Sequence, residues 1–198
     1  MKVPDLTLSR FYKDQVSLNE YSLDQINRHN LKKGKKRSPL YYEEITTDIL
    51  DVFKDQKFSM ICLGTRNNWE RDCFRRHTSN DQIFSLDISP ISDADFVGDF
   101  NKLDLEPKVD VLFSNAIDHS IDPNKTYLNW LCQLKKNGIL IVDFSLHEEV
   151  GDENQADCST FSEESIGNFL KHLVENKHIK ENVVKKHTHG YLRTMVTK

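Results

Sequence analysis

The sequence predicts an α/β fold: a doubly wound, mostly parallel sheet with helices on both faces, closed by a C-terminal antiparallel hairpin. Three observations predict it. Short apolar runs alternate with stretches of helical periodicity from about residue 39 to residue 176. One run, Phe58–Leu63, leads into a glycine turn, a helical stretch and a second run that closes on Asp87. After the last helical stretch the pattern becomes strand, turn, strand, with His178–Lys186 and Tyr191–Thr197 flanking His187-Thr188-His189-Gly190. Parallel neighbours need a long crossover, usually a helix, so strands alternating with helices imply a parallel sheet.

Taken in order, residues 1–38 are polar, have few periodic apolar positions and end in Leu31-Lys32-Lys33-Gly34-Lys35-Lys36-Arg37. They are expected to form a solvated arm or a lid ahead of one domain over 39–198. Ser38-Pro39 is a helix start, because proline is tolerated in the first turn. Tyr41, Tyr42, Ile45, Ile49, Leu50 and Phe53 then recur at helical spacing, which places this helix against the sheet before the first strand. Strands are expected at about 58–63, 82–86, 109–114 and 138–144, and helices at about 68–77, 124–135 and 161–176. Ala94–Asp99 reads as a short edge strand.

Composition bounds the function. The chain has 198 residues, enough for one domain with a single core. A formal net charge of -4 gives no global case for a nucleic-acid or anionic-membrane partner. Cys62, Cys73, Cys132 and Cys158 form no C-x-x-C pair, so neither a disulfide framework nor a zinc site is expected, and no metal is assigned. Cys62 and Cys132 sit in apolar patterns and are expected to be buried. His187-x-His189 would put two imidazoles on one strand face, but a hairpin tip explains them more simply. The N-terminus shows no apolar signal region and no run is long enough to span a bilayer, so a cytoplasmic, reduced protein is expected.

The chemistry starts at Gly64. A glycine turn between a strand and a helix presents unpaired backbone N–H groups to a ligand. Asp87 follows 23 positions later, near the roughly 20-residue offset at which a carboxylate takes ribose hydroxyls. A strand, a turn, a helix, a strand and a terminal carboxylate therefore point to an adenosine-containing ligand.

Five motifs in a fixed order sharpen this: Cys62-Leu63-Gly64-Thr65-Arg66-Asn67, Asp87-Ile88, Gly98-Asp99-Phe100, Val109–Ser120 and Leu134-Lys135-Lys136-Asn137-Gly138. Over about residues 40–197 the chain resembles the class I S-adenosylmethionine-dependent methyltransferases, built on a small, Rossmann-like, seven-stranded domain. The resemblance implies that Gly64 lets the backbone approach the cofactor, with Thr65, Arg66 and Asn67 around its methionine end. Only Gly64 remains of the family's G-x-G-x-G, and the usual acidic residue before it is missing. Asn67 or Asn68 is expected to take left-handed backbone angles or to cap the next helix. The resemblance further implies that Asp87 accepts from both ribose hydroxyls and that Ile88 packs on adenine. Asp99 accepts from the adenine amine, with Phe100 as an apolar contact. Asn115 and Ala116 approach the methionine portion. Asn137-Gly138 is expected to turn the chain out of a helix with positive φ.

Asp118 and His119 stand where many small-molecule members carry a motif ending in histidine. Histidine titrates near neutral pH, so His119 is the candidate general base and Asp118 its orienting partner. Ser114-Asn115-Ala116-Ile117 is not an N-P-P-Y-type amide-recognition motif, which argues against adenine or glutamine N-methylation. The expected reaction is methyl transfer to a small molecule or a glycan sugar, on oxygen. Two alternatives stand beside it. One is an RNA or other macromolecular substrate held by Lys32–Arg37. The other, motivated by the missing glycines, is a degenerate cofactor-binding module with a partner-binding role. The acidic loop Glu148, Glu149, Asp152, Glu153 and Asp157 is either a frame for the acceptor pocket or a solvated loop. Oligomeric state is not legible in the sequence.

Overall fold

The computed structural model describes residues 3–4, 6, 9–10, 23, 36–54, 56–65, 67–146, 159–187 and 191–198. The elements that frame the site are α1 (Pro39–Phe53), β1 (Met60–Leu63), α2 (Trp69–Thr78), β2 (Ile83–Asp87), β3 (Phe96–Val97) and β4 (Val109–Ser114). They continue with α3 (Pro123–Gln133), β5 (Leu134–Ser145), α4 (Glu163–Glu175), β6 (Glu181–His187) and β7 (Tyr191–Thr197). Short 3-10 turns at Phe100–Lys102 and Ile117–His119 follow β3 and β4.

The seven-stranded sheet has the order β3-β2-β1-β4-β5-β7-β6. Six strands run one way, and β7 runs against both its neighbours. This is the parallel sheet with a terminal hairpin that the alternating pattern predicts. From β1 the chain builds outward to β2 and β3, then crosses back to lay β4 on the other side of β1. The carboxyl ends of β1 and β4 therefore flank the reversal of strand order, where open α/β sheets leave a crevice.

Strand alternation sorts the apolar residues into two layers. Met60, Cys62, Val111, Phe113, Ile139 and Ile141 pack with Tyr42, Ile45, Ile49, Cys73 and Phe74 of α1 and α2. Ile61, Leu63, Leu112, Leu140, Val142 and Phe144 face the other way, onto Tyr127, Trp130 and Leu131 of α3 and Ile166, Phe169 and Leu170 of α4. Each such side chain, fully buried, contributes about 1.5–3 kcal/mol relative to exposure. The caps follow the sequence. Ser38 Oγ accepts from Leu40 N with Pro39 in the first turn, Asp122 caps α3, and Ser162 with Ser165 forms a reciprocal capping box on α4.

The N-terminal segment contributes to the domain core. Leu6 is fully buried among the residues of the second layer. The Asn124 side chain holds it like a strand neighbour, accepting from Leu6 N and donating to Pro4 O, both at 2.8 Å. Ser9–Arg10 pairs antiparallel with Ser159–Thr160.

Two expectations need correction. Asn137-Gly138 does not close a helix, because α3 has already ended at Gln133. Val109 pairs with Leu134 and Val111 with Ile139, so Lys135–Gly138 bulges out of β5. Asn137 takes the positive φ, 65°. Gly138 is required for space instead, since a Cβ there would lie 2.9 Å from Asp110 O. Of the two alternatives for Asn67 and Asn68, capping holds, since Asn67 Oδ1 accepts from Trp69 N; Asn68 sits at φ -73°, and among the described residues of the first turn the left-handed one is Gly64, at φ 74°. Cys132 is exposed, while Cys73 is buried with Cys62. Most of Lys32–Arg37, the loop 148–157, Cys158 and the tip Thr188-His189-Gly190 lie outside the described residues, as does the side chain of His187.

Candidate functional site

Gly64 closes β1 and turns the chain toward α2. Its N–H and that of Thr65 both donate to Leu86 O, at 2.8 and 3.3 Å, which pins the turn to the end of β2. A Cβ built on Gly64 would lie 2.8 Å from the Cβ of Ala116 and 3.4 Å from Cε1 of Phe100. Three residues singled out in three separate motifs thus converge on one point. Phe100 is held there by its own backbone, whose carbonyl accepts from Trp130 Nε1 at 2.8 Å, and by an edge contact between the two rings. Ala116 is held by Ser114, whose Oγ accepts from Ala116 N at 3.2 Å and donates to Leu63 O at 3.3 Å.

Thr65 is buried, and its Oγ1 has no hydrogen-bond partner among the described residues. A hydroxyl buried without a partner costs about 1–3 kcal/mol; Thr65 Oγ1 shares this state with Tyr41 Oη and Tyr127 Oη, and what sets it apart is its place in the turn after β1. Arg66 lies outside the described residues. Asn67 Oδ1 accepts from Trp69 N at 3.1 Å and so supplies the cap of α2 from the position before its N-cap. Asn68 ties the turn to β2 by accepting from Ser85 Oγ at 2.6 Å.

Asp87 ends β2 and is buried. Its Oδ1 accepts from Ser89 N at 2.8 Å, and its backbone carbonyl accepts from Gly98 N at 2.9 Å. The first bond fixes the carboxylate rotamer; the second brings Gly98 and Asp99 beside it. Ile88 is half-buried next to it. Asp99 caps the 3-10 turn, its Oδ1 accepting from Asn101 N at 2.9 Å and Asn101 Nδ2 at 2.7 Å.

Asn115 follows β4 and its Nδ2 lies 3.5 Å from Glu70 Oε1, in the first turn of α2. The Ile117–His119 turn comes next. Asp118 is buried and its Oδ1 accepts from His119 N at 3.1 Å; His119 is half-buried. The carboxylate thus holds the backbone of the turn that presents the imidazole.

Sequence reasoning missed three features around this edge. Asn101, Ser120 and Thr126 form a hydrogen-bonded cluster behind Asp99. Arg193 and Asp143 form a buried ion pair between β7 and β5, with Nε–Oδ1 at 2.7 Å and Nη2–Oδ2 at 3.1 Å. Arg37 stacks between Tyr41 and Tyr191, 4.7 and 4.3 Å from the ring centroids. Only the Asn two positions after Asp99 carried a signal, that of a short polar residue at a turn.

A groove of ≈ 710 Å³ opens on the second face of the sheet, lined by Ile61, Phe84, Leu86, Phe96 and Leu103. It exists because the crossover from β3 to β4 is a 3-10 turn and loop in place of a helix. It meets the candidate site only at Gly98 and Asp99 and otherwise runs toward Ser59 and Lys135, at the opposite edge of the sheet.

No family model and no curated protein sequence matches the chain. Solved structures do. The plantazolicin methyltransferase BpumL, in complex with a pentazolic desmethylPZN analog and S-adenosylhomocysteine, aligns with a TM-score of 0.65 at 11% identity, over 91% of this chain and 97% of its own. The Burkholderia thailandensis 1,6-didemethyltoxoflavin-N1-methyltransferase, with 1,6-didemethyltoxoflavin and S-adenosylhomocysteine bound, gives 0.63 at 14% identity, over 96% and 94%. CalS10 from Micromonospora echinaspora, an amino pentose methyltransferase with S-adenosylmethionine bound, gives 0.56 at 11% identity, over 93% and 98%. At these identities the likeness is one of fold: the chain is built on the class I methyltransferase architecture over nearly its whole length.

Proposed function

We propose that this chain is an S-adenosylmethionine-dependent methyltransferase that acts on a small molecule or a glycan sugar, on an oxygen atom. The observation that carries the reading is the convergence of Gly64, Phe100 and Ala116 at the reversal of strand order, beside the buried carboxylate of Asp87. The residues present fit the cofactor. A Cβ on Gly64 would meet Ala116 and Phe100, so the turn packs closely against the residues that follow β3 and β4, and the Thr65 hydroxyl beside it lacks a partner among the described residues.

S-adenosylmethionine, when bound, supplies an activated methyl group, so the protein's task is positioning and exclusion of water. Asp87 takes the ribose hydroxyls, a task that suits the two oxygens of a carboxylate. Asp99 accepts from the adenine amine, with Ile88 and Phe100 as apolar contacts. Gly64, Thr65, Asn67, Asn115 and Ala116 surround the methionine end, and Arg66 belongs to the same loop. His119 removes the proton of the acceptor hydroxyl, and Asp118 positions it through the turn backbone.

Relatives of fold that hold 1,6-didemethyltoxoflavin or are named for an amino pentose are in line with a small-molecule or sugar acceptor. The RNA reading has less behind it. Arg37 is stacked between Tyr41 and Tyr191, and Lys36 lies 4.6 Å from the centroid of Trp69, so both cations already have aromatic partners within the domain. Titration with S-adenosylmethionine and S-adenosylhomocysteine tests the cofactor; a screen of sugars and small hydroxylated molecules with labelled cofactor tests the acceptor.

A further inference from the structure

We propose that Asn101 is a positioning residue that aims the carboxylate of Asp99 at the adenine amine and ties it to the turn carrying His119. The inference rests on the cofactor reading above. Asn101 donates twice to the same oxygen, from its backbone N at 2.9 Å and its Nδ2 at 2.7 Å, both to Asp99 Oδ1. Two donors on one oxygen fix the plane of the carboxylate. Oδ2 carries no hydrogen bond among the described residues and is the oxygen left to meet a ligand.

The amide is itself fixed from behind. Its Oδ1 lies 2.8 Å from Ser120 Oγ and 3.1 Å from Thr126 Oγ1, and the two hydroxyls lie 2.7 Å from each other. Three contacts share two hydroxyl protons, so one hydroxyl donates to Asn101 and the other donates either to it or to its neighbour. Either way Oδ1 faces the hydroxyls and Nδ2 faces Asp99, so the amide has one orientation. Ser120 and Thr126 are buried, which makes the cluster costly to leave half-satisfied. Ser120 is also the residue that closes the Ile117–His119 turn, its N–H donating to Ile117 O. A chain of short hydrogen bonds thus runs from Asp99 through Asn101 to the base of the catalytic turn.

The test compares S-adenosylhomocysteine with its analogue in which hypoxanthine replaces adenine, by calorimetry. The analogue lacks the amine, so the intact chain should prefer the adenine ligand by about ten- to a hundredfold, the range for a hydrogen bond to a charged group. Asn101→Ala should cut that preference about three- to tenfold, because Asp99 regains rotamer freedom. The double variant Asp99→Ala with Asn101→Ala should match Asp99→Ala alone. Asn101→Asp keeps the shape and the acceptor oxygen but sets a second carboxylate against Asp99. It should also cut the preference, and it serves if Asn101→Ala does not fold. A purely structural role would weaken both ligands equally; an unchanged ratio in the folded variants overturns the proposal. No binding of S-adenosylhomocysteine by the intact chain would instead remove the cofactor reading, and this inference with it.

Discussion

Gly64 and Ala116 stand so close that a methyl group added to the first would come within 2.8 Å of the Cβ of the second. They end adjacent parallel strands, β1 and β4, on the two sides of the point where strand order reverses. The contact leaves no room for a side chain at Gly64 and packs the turn after β1 directly against the end of β4. Gly64→Ala should therefore lose about 2–4 kcal/mol of stability, from the left-handed φ of 74° and from overpacking together. Urea unfolding measures the loss. Retention of full stability would mean that the turn has room to shift.

His119→Ala should leave binding of S-adenosylhomocysteine unchanged and lower turnover of an identified acceptor by about 10²- to 10⁴-fold, the usual contribution of a positioned base. The check is a pair of measurements on one preparation, calorimetry and initial rates. Undiminished turnover would hand the proton to another group.

The order of elements was legible in the sequence because its cues are local. Apolar runs of strand length, Ser38-Pro39 and Gly64 all act within a few residues, and each sits where the pattern puts it. Convergence at the site was legible only through motif order, since nothing local says that Ala116 touches Gly64. Asn101, Ser120 and Thr126 were missed because their bond to one another depends on α3 folding back over the turn after β3. The bulge at Lys135–Gly138 was misread for a related reason. An Asn-Gly pair serves a helix end and a strand bulge equally well, and the partner strand decides which.

The Arg193–Asp143 pair is buried on both sides, with 2% and 0% of the side chains exposed. Removing Asp143 leaves the buried Arg193 only the more exposed Glu44, 3.6 Å from Nη1. Asp143→Ala should lower stability by about 3–5 kcal/mol, whereas Asp143→Leu combined with Arg193→Met should cost much less. Denaturant unfolding of the single and the double variant separates the two cases. Equal losses would show that the pair acts through packing alone.

Asp110 gives a pH signature. Burial alone would raise its pKa, but hydrogen bonds from Lys135 Nζ, Ser59 N and Ser59 Oγ to its carboxylate outweigh burial and leave it below the ordinary value. A depressed folded pKa means that the carboxylate's stabilisation is fully present above the unfolded value of about 4 and fades as pH falls through the folded one. Asp110→Asn should thus be less stable than the natural chain at pH 7, with a gap that narrows below pH of about 4. Unfolding curves at both pH values test it; a gap that widens in acid would reverse the assignment.

Calorimetric titration with S-adenosylhomocysteine, for the natural chain and for Asp87→Ala, tests the account most directly. Micromolar binding is expected for the natural chain, weakened by about 1.5–3 kcal/mol when the buried carboxylate is removed. Absence of binding by the natural chain, or equal affinity in the two, would contradict the account, the first by removing the cofactor and the second by removing its ribose contact.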